Sequence, residues 1–134
     1  MAIGFTALPY PPFRLPGWHR GSLAVHGDDG HRYINDDAGG VTFTNPFNRG
    51  ETYGIGLEFG QSPNEGPKVL FTRQGEVVDS WDLMEERDRD VFGAADEGVV
   101  GLQGLHELVA AIGVFGTVDY EVIFDPSRWM YRRI

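Results

Sequence analysis

Chemistry-bearing side chains crowd into one stretch, VHGDDGHRY at residues 25–33, where His26 and His31 flank the adjacent carboxylates of Asp28 and Asp29 with a glycine on either side. Across a four-residue turn the two imidazoles would lie nearly opposite each other, and with one carboxylate they could hold a metal ion. Asp28 and Asp29 could also serve as an acid/base pair. A plainer reading competes with both: the two aspartates cap their own turn through side-chain to backbone hydrogen bonds, and the histidines decorate the strand ends. The plainer reading is preferred. No third strong ligand follows at a recognisable spacing, and neither a His-Glu-x-x-His helix nor a calcium-loop pattern occurs. Adjacent strand residues point to opposite faces, which makes Asp28 and Asp29 a poor pair for glycoside cleavage.

Nucleophilic catalysis finds no better footing. Ser22, Ser62, Ser80 and Ser127 lie outside any Gly-x-Ser-x-Gly elbow, and the chain has no cysteine. The glycines of YGIGLEFG do not lead into a helix carrying Lys-Ser or Lys-Thr, so they form no phosphate loop. No catalytic residue, metal ligand or cofactor is assigned, and a small metal-dependent or glycan-processing enzyme built on His26, His31 and the two aspartates ranks third among the functional readings.

The elements that position these residues are short. Nineteen glycines and eight prolines among 134 residues cut the chain into brief segments, a pattern of all-β sandwiches and barrels. In TYGIGLEF, Tyr53, Ile55, Leu57 and Phe59 alternate with Gly54, Gly56 and Glu58, the period of a half-buried strand. DYEVIF repeats it with Tyr120, Val122 and Phe124. Two hairpins are expected: Ser22–His26 with His31–Asn35 across Gly27-Asp28-Asp29-Gly30, and Lys68–Thr72 with Glu76–Trp81 across Arg73-Gln74-Gly75. Residues 82–97 form a charged acidic loop with at most one helical turn, and a turn of helix at Leu105–Leu108 leads into a strand. The proline-rich stretch PYPPFRLPGW, residues 9–18, is a stiff loop that Phe13, Leu15 and Trp18 plug into the sandwich. Trp129 and Tyr131 read as core or edge packing.

Bulk composition narrows the function classes. A chain of 134 residues with 41% hydrophobic and 13% aromatic content can bury one core, so a single domain over 1–134 is expected. No apolar run approaches the roughly 18 residues of a membrane span, and direct membrane insertion is not expected. Twenty acidic against eleven basic residues give a net charge of −9, a field that repels phosphate backbones, so no nucleic-acid partner is expected. No basic start leads into an apolar segment, and a cytoplasmic setting is expected, with the cytosolic face of endosomes or the vacuole, or the nucleus, as alternatives.

Together AIGF, PYPPFRLPGWHRGSLAVHGDDGHRYIN, PFNRGETYGIGLEF, KVLFTRQGEVV and AAIGVFGTVDYEVIFD resemble, in this order, a SPRY domain. The stretch Leu15–Tyr33 is most similar to the subclass of Ran-binding scaffold proteins and fungal ubiquitin-ligase adaptors, whose motif also runs Leu-Pro-Gly-Trp, then a few residues, then His-Gly-Asp-Asp-Gly-His. The resemblance covers Ala2 to about Phe124. It implies a bent antiparallel β-sandwich, a concanavalin-like jelly roll, that binds short peptide segments of other proteins through loops at one rim and catalyses nothing. By position it puts Tyr33 and Phe115 in the peptide site as an exposed aromatic pair, with Val114, Gly116 and Thr117 around Phe115 and the Asp28–Asp29 turn at the border. SPRY domains begin with strands upstream of the IGF strand, and here Met1 falls almost on it, so an N-terminally shortened domain is expected. A self-assembling β-domain, dimerising through exposed or exchanged strands, is the first alternative function.

Overall fold

The computed structural model describes residues 1–62, 66–83, 102 and 106–132. Among these residues the strands are β1 (Ala2–Ala7), β2 (Ser22–His26), β3 (His31–Ile34), β4 (Val41–Thr42), β5 (Tyr53–Glu58), β6 (Lys68–Arg73), β7 (Glu76–Asp82) and β8 (Leu108–Gly113), with a short 3-10 turn at Pro126–Arg128. They form two antiparallel sheets, a five-stranded one in the order β4-β3-β2-β1-β8 and a three-stranded one in the order β5-β6-β7.

Period-two alternation sorts each strand's side chains between two faces. The register pairs Ile3 with Val25 and Phe5 with Leu23, and Leu23 with Ile34, which sets these apolar residues on one face of the larger sheet. That face meets Val69 and Phe71 of β6, Trp81 of β7, and Leu83 and Leu102, all buried, with Tyr53, Ile55 and Leu57 of β5 partly buried beside them. Each fully buried large side chain contributes about 1.5–3 kcal/mol from removal of its surface from water.

The opposite face of the larger sheet is built differently. Its central rows carry Ala2, Gly4, Ser22, Ala24, His26 and Tyr33, mostly small residues that leave a shallow floor. The loop 10–18 lies on that floor, so β2 is covered from both sides and all five of its residues are buried. Alternation is absent from SLAVH for this reason.

Both predicted hairpins form. The β6–β7 turn uses Gln74 at φ 53° and Gly75 at φ 83°, the left-handed pair that matches strand twist in a two-residue connection. Arg73, at the end of β6, ties down the segment 44–51: its guanidinium donates to Glu51 Oε2 at 2.6 Å, Asn45 O at 2.8 Å and Pro46 O at 2.9 Å, and lies 5.3 Å above the Tyr53 ring.

DYEVIF is not a strand. Residues 119–124 take no ladder partner among the described residues, and Tyr120, Val122 and Phe124 are 51%, 41% and 79% exposed. Alternation states which side chains share a face, but a strand also requires a neighbour for its backbone N–H and C=O groups. Trp129 is half-exposed, its indole N–H donating to the Ile123 carbonyl at 2.9 Å, so it packs on its own segment and not in the core. Of the acidic loop expected over 82–97, Asp82 closes β7 and Leu83 is buried, and the remainder lies outside the described residues. Leu105 also lies outside them, whereas Leu108 already begins β8, so the expected helical turn does not reach it.

Candidate functional site: the rim beside the β2–β3 turn

VHGDDGHRY is the tip of the β2–β3 hairpin, and its polar groups are engaged in building it. Gly30 N–H donates to the His26 carbonyl at 2.8 Å, with Gly30 at φ 73°. Asp29 accepts the His31 backbone N–H on Oδ1 at 2.8 Å and the Tyr33 hydroxyl on Oδ2. Asp28 projects into solvent.

The two histidines serve different loops. His26 is buried, with Nε2 2.8 Å from the Pro16 carbonyl, and its ring stacks on Tyr33 at 4.0 Å and meets Trp18 at 5.5 Å. Burial pushes its pKa below the ordinary imidazole value, opposed in part by the hydrogen bond to Pro16 and the charges of Asp28 and Asp29. The neutral tautomer that donates from Nε2 therefore suits the site. His31 Nδ1 lies 2.7 Å from the Gly39 carbonyl and 3.6 Å from Asp29 Oδ2. One histidine thus faces the floor beneath the proline-rich loop and the other the β3–β4 loop, so they do not converge on one point. Among the described residues no three histidine, aspartate or glutamate side chains cluster for a metal.

The expected aromatic pair is not assembled. Tyr33 is only 5% exposed, lying beneath Gly17, and its phenol is pushed above its ordinary pKa by burial, the hydrogen bond to Asp29 and nearby carboxylates. It shares a row with Ala24, Gly4 and Ala111, so three strand spacings, about 14 Å in all, separate it from β8. Phe115 is 86% exposed just beyond the end of β8. Pairing by analogy with related domains fails here because the loop 10–18 covers Tyr33.

What does come together is one end of the larger sheet. Ala2 pairs with both His26 and Gly113, placing the β2–β3 turn and the segment Val114–Thr117 at the same edge with β1 between them. Leu15 and Pro16 pack against Gly113 from above. Val114 is 45% exposed and Gly116 takes φ 80°, which turns the chain just after Phe115.

The residue pattern hid a second feature. Phe13, expected to plug the loop, is 85% exposed, because a turn closed by Arg14 N–H to the Pro11 carbonyl at 3.3 Å aims it outward. Leu15, Pro16 and Trp18 cover the sheet instead. Arg14 donates to the Trp18 carbonyl at 2.9 Å and pairs with Asp37 at 3.0 Å, joining the loop 10–18 to the β3–β4 loop. Phe13, Arg14, Trp18 and Asp37 line a shallow cleft of about 360 Å³. The run of four prolines and three aromatics marked the loop, but no sequence signal pairs Arg14 with Asp37.

No protein-family model matches the chain. Protein ssh4 of Sclerotinia sclerotiorum is 35% identical over 79 residues, covering 59% of this chain and 14% of that protein. A SPRY domain-containing protein of Schizosaccharomyces pombe is 35% identical over 75 residues, 56% of this chain and 18% of its own length. Ran-binding protein 9 of Danio rerio is 34% identical over 98 residues, 60% of this chain and 16% of its own. The chain therefore spans less than a fifth of these relatives. Among solved structures, a human SPRY domain superposes with a TM-score of 0.50 at 34% identity, covering 59% of this chain and 49% of that one. No helix among the described residues is long and apolar enough to cross a membrane. With the two antiparallel sheets described above, the chain is similar both in sequence and in fold to SPRY domains.

Proposed function

We propose that the chain is a non-catalytic recognition module that binds short peptide segments of partner proteins through loops at one rim, in a cytoplasmic ubiquitin-ligase adaptor or scaffold. The observation that carries this reading is Phe115, a large aromatic 86% exposed on a turn whose base is packed by Leu15 and Pro16. An exposed aromatic on a fixed base can anchor a partner side chain at low entropic cost, and a few such anchors dominate binding energy. Val114, Gly116 and Thr117 border it, and Asp28 and Asp29 supply an acidic edge at the same end of the sheet, favouring segments with basic or amide side chains. Tyr33 acts from below: its hydroxyl holds Asp29, and with it the turn.

The test is selection of binding peptides from a displayed random library, followed by affinity measurement with Phe115→Ala and Asp28→Asn, each verified as folded by circular dichroism. The expected outcome is about a tenfold or greater loss for Phe115→Ala, corresponding to 1.4 kcal/mol or more, and a smaller, salt-sensitive loss for Asp28→Asn. Selected peptides that bind Phe115→Ala unchanged would remove the rim from the reading.

A further inference from the structure

Among the described residues four strands form the edges of the two sheets, and three carry devices that discourage pairing with another chain. β4 has only two residues. β5 contains two glycines, which weaken a strand, and ends in Glu58. β7 carries Glu76, Asp79 and Asp82. β8, the remaining edge, is six residues long, LVAAIG, with no charge, no proline and no bulge. Among the described residues it pairs only with β1, so one row of its backbone donors and acceptors has no strand beside it. Its face toward the second sheet is also thinly covered, with Ala110 exposed and Ile112 40% exposed.

We propose that this edge is a self-association surface, where β8 of a second copy adds antiparallel to β8 and joins the two five-stranded sheets into one. The occupant is a second copy because the strand is complementary to itself. A twofold axis normal to the sheet at Ala110 keeps every side chain on its own face, sets Ala110 against Ala110 and flanks that pair with Leu108 against Ile112 on both sides. The small residue at the axis permits close approach. Each copy carries a net charge of −9, but this register tolerates it. Glu107, the carboxylate nearest the strand in sequence, lies opposite Gly113 and about 20 Å from its symmetry mate, beyond the screening length of roughly 10 Å at moderate salt. This surface is the backbone edge of β8, and it is argued independently of the Phe115 rim.

Sedimentation velocity from micromolar to submillimolar concentration reads the assembly directly, with amide hydrogen exchange of residues 108–113 followed in parallel. The expected result is a shift from one chain to two with rising concentration, accompanied by slowing exchange in β8. Ala110→Lys, at an exposed position, sets two ammonium groups against each other across the axis and should weaken dimerisation about tenfold or more. A wild-type monomer throughout, with exchange in β8 independent of concentration, overturns the proposal, and so does a dimer that Ala110→Lys leaves intact. A monomer whose β8 amides are protected at every concentration overturns it too, since the edge is then covered within one chain.

Discussion

Asp29 uses both of its carboxylate oxygens on the hairpin that contains it, one on the His31 backbone N–H and one on the Tyr33 hydroxyl. The cap was legible in the spacing, because Asp two residues before a strand start is a known turn-former; the phenol's approach was not, because it depends on which face Tyr33 takes. His26 carries the clearest consequence for solution behaviour. Its folded-state pKa lies below the unfolded value of about 6.5 because burial disfavours the imidazolium. The unfolded chain therefore binds more protons in this window, so the stability due to neutral His26 is fully present above about pH 6.5 and is lost as pH falls below it. Urea unfolding at pH 7.5 and 5.5 should show a lower midpoint at the acidic pH, and His26→Gln should flatten that difference. An unchanged slope in the variant would assign the effect to other groups.

At the scale of elements, the loop 10–18 decides the most. It converts β2 from a half-buried strand into one buried on both faces, hides Tyr33, and leaves Phe13 outside. It comes close to the sheet at Gly17, where φ is 93° and an added Cβ would lie 2.8 Å from Tyr33 Cβ. Gly17 N–H also donates to Ser22 Oγ at 2.8 Å, and its carbonyl accepts from Asp36 N–H at 2.9 Å. Gly17→Ala combines a left-handed strain with a contact against packed side chains, and should destabilise the domain by roughly 1–3 kcal/mol. Thermal unfolding checks this, together with near-ultraviolet circular dichroism of the Trp18–His26–Tyr33 stack. The prolines announced a stiff loop, but its direction follows from the Pro11–Arg14 turn and from contacts with β2, β3 and β8, which local preference does not encode.

For the whole molecule, the two sheets meet on one side of the larger sheet while the proposed recognition surface lies at its end, so stability and binding should separate by position. Phe71 is fully buried and Phe115 is 86% exposed. Phe71→Ala should cost about 3–5 kcal/mol through lost burial and a cavity, whereas Phe115→Ala should change stability by less than about 0.5 kcal/mol. Chemical denaturation of both variants tests this contrast; a large loss for Phe115→Ala would make that residue part of the packing.

The amino-acid sequence by itself determined the class of fold, both hairpins and the turn chemistry of Asp29 and Gly75, because these rest on period-two alternation and on local backbone preferences. Its ordered Leu-Pro-Gly-Trp and His-Gly-Asp-Asp-Gly-His motifs also carried the resemblance to SPRY domains that the comparisons in sequence and in fold repeat. Only the tertiary structure decided that Tyr33 is covered, that Phe13 and Phe115 are exposed, that His26 and His31 face different loops, and that Tyr120–Phe124 takes no strand partner. Each of these depends on what packs against a residue from a distant part of the chain. Burial and strand pairing are long-range properties, and two side chains of identical type and pattern differ in role once one of them lies under a loop.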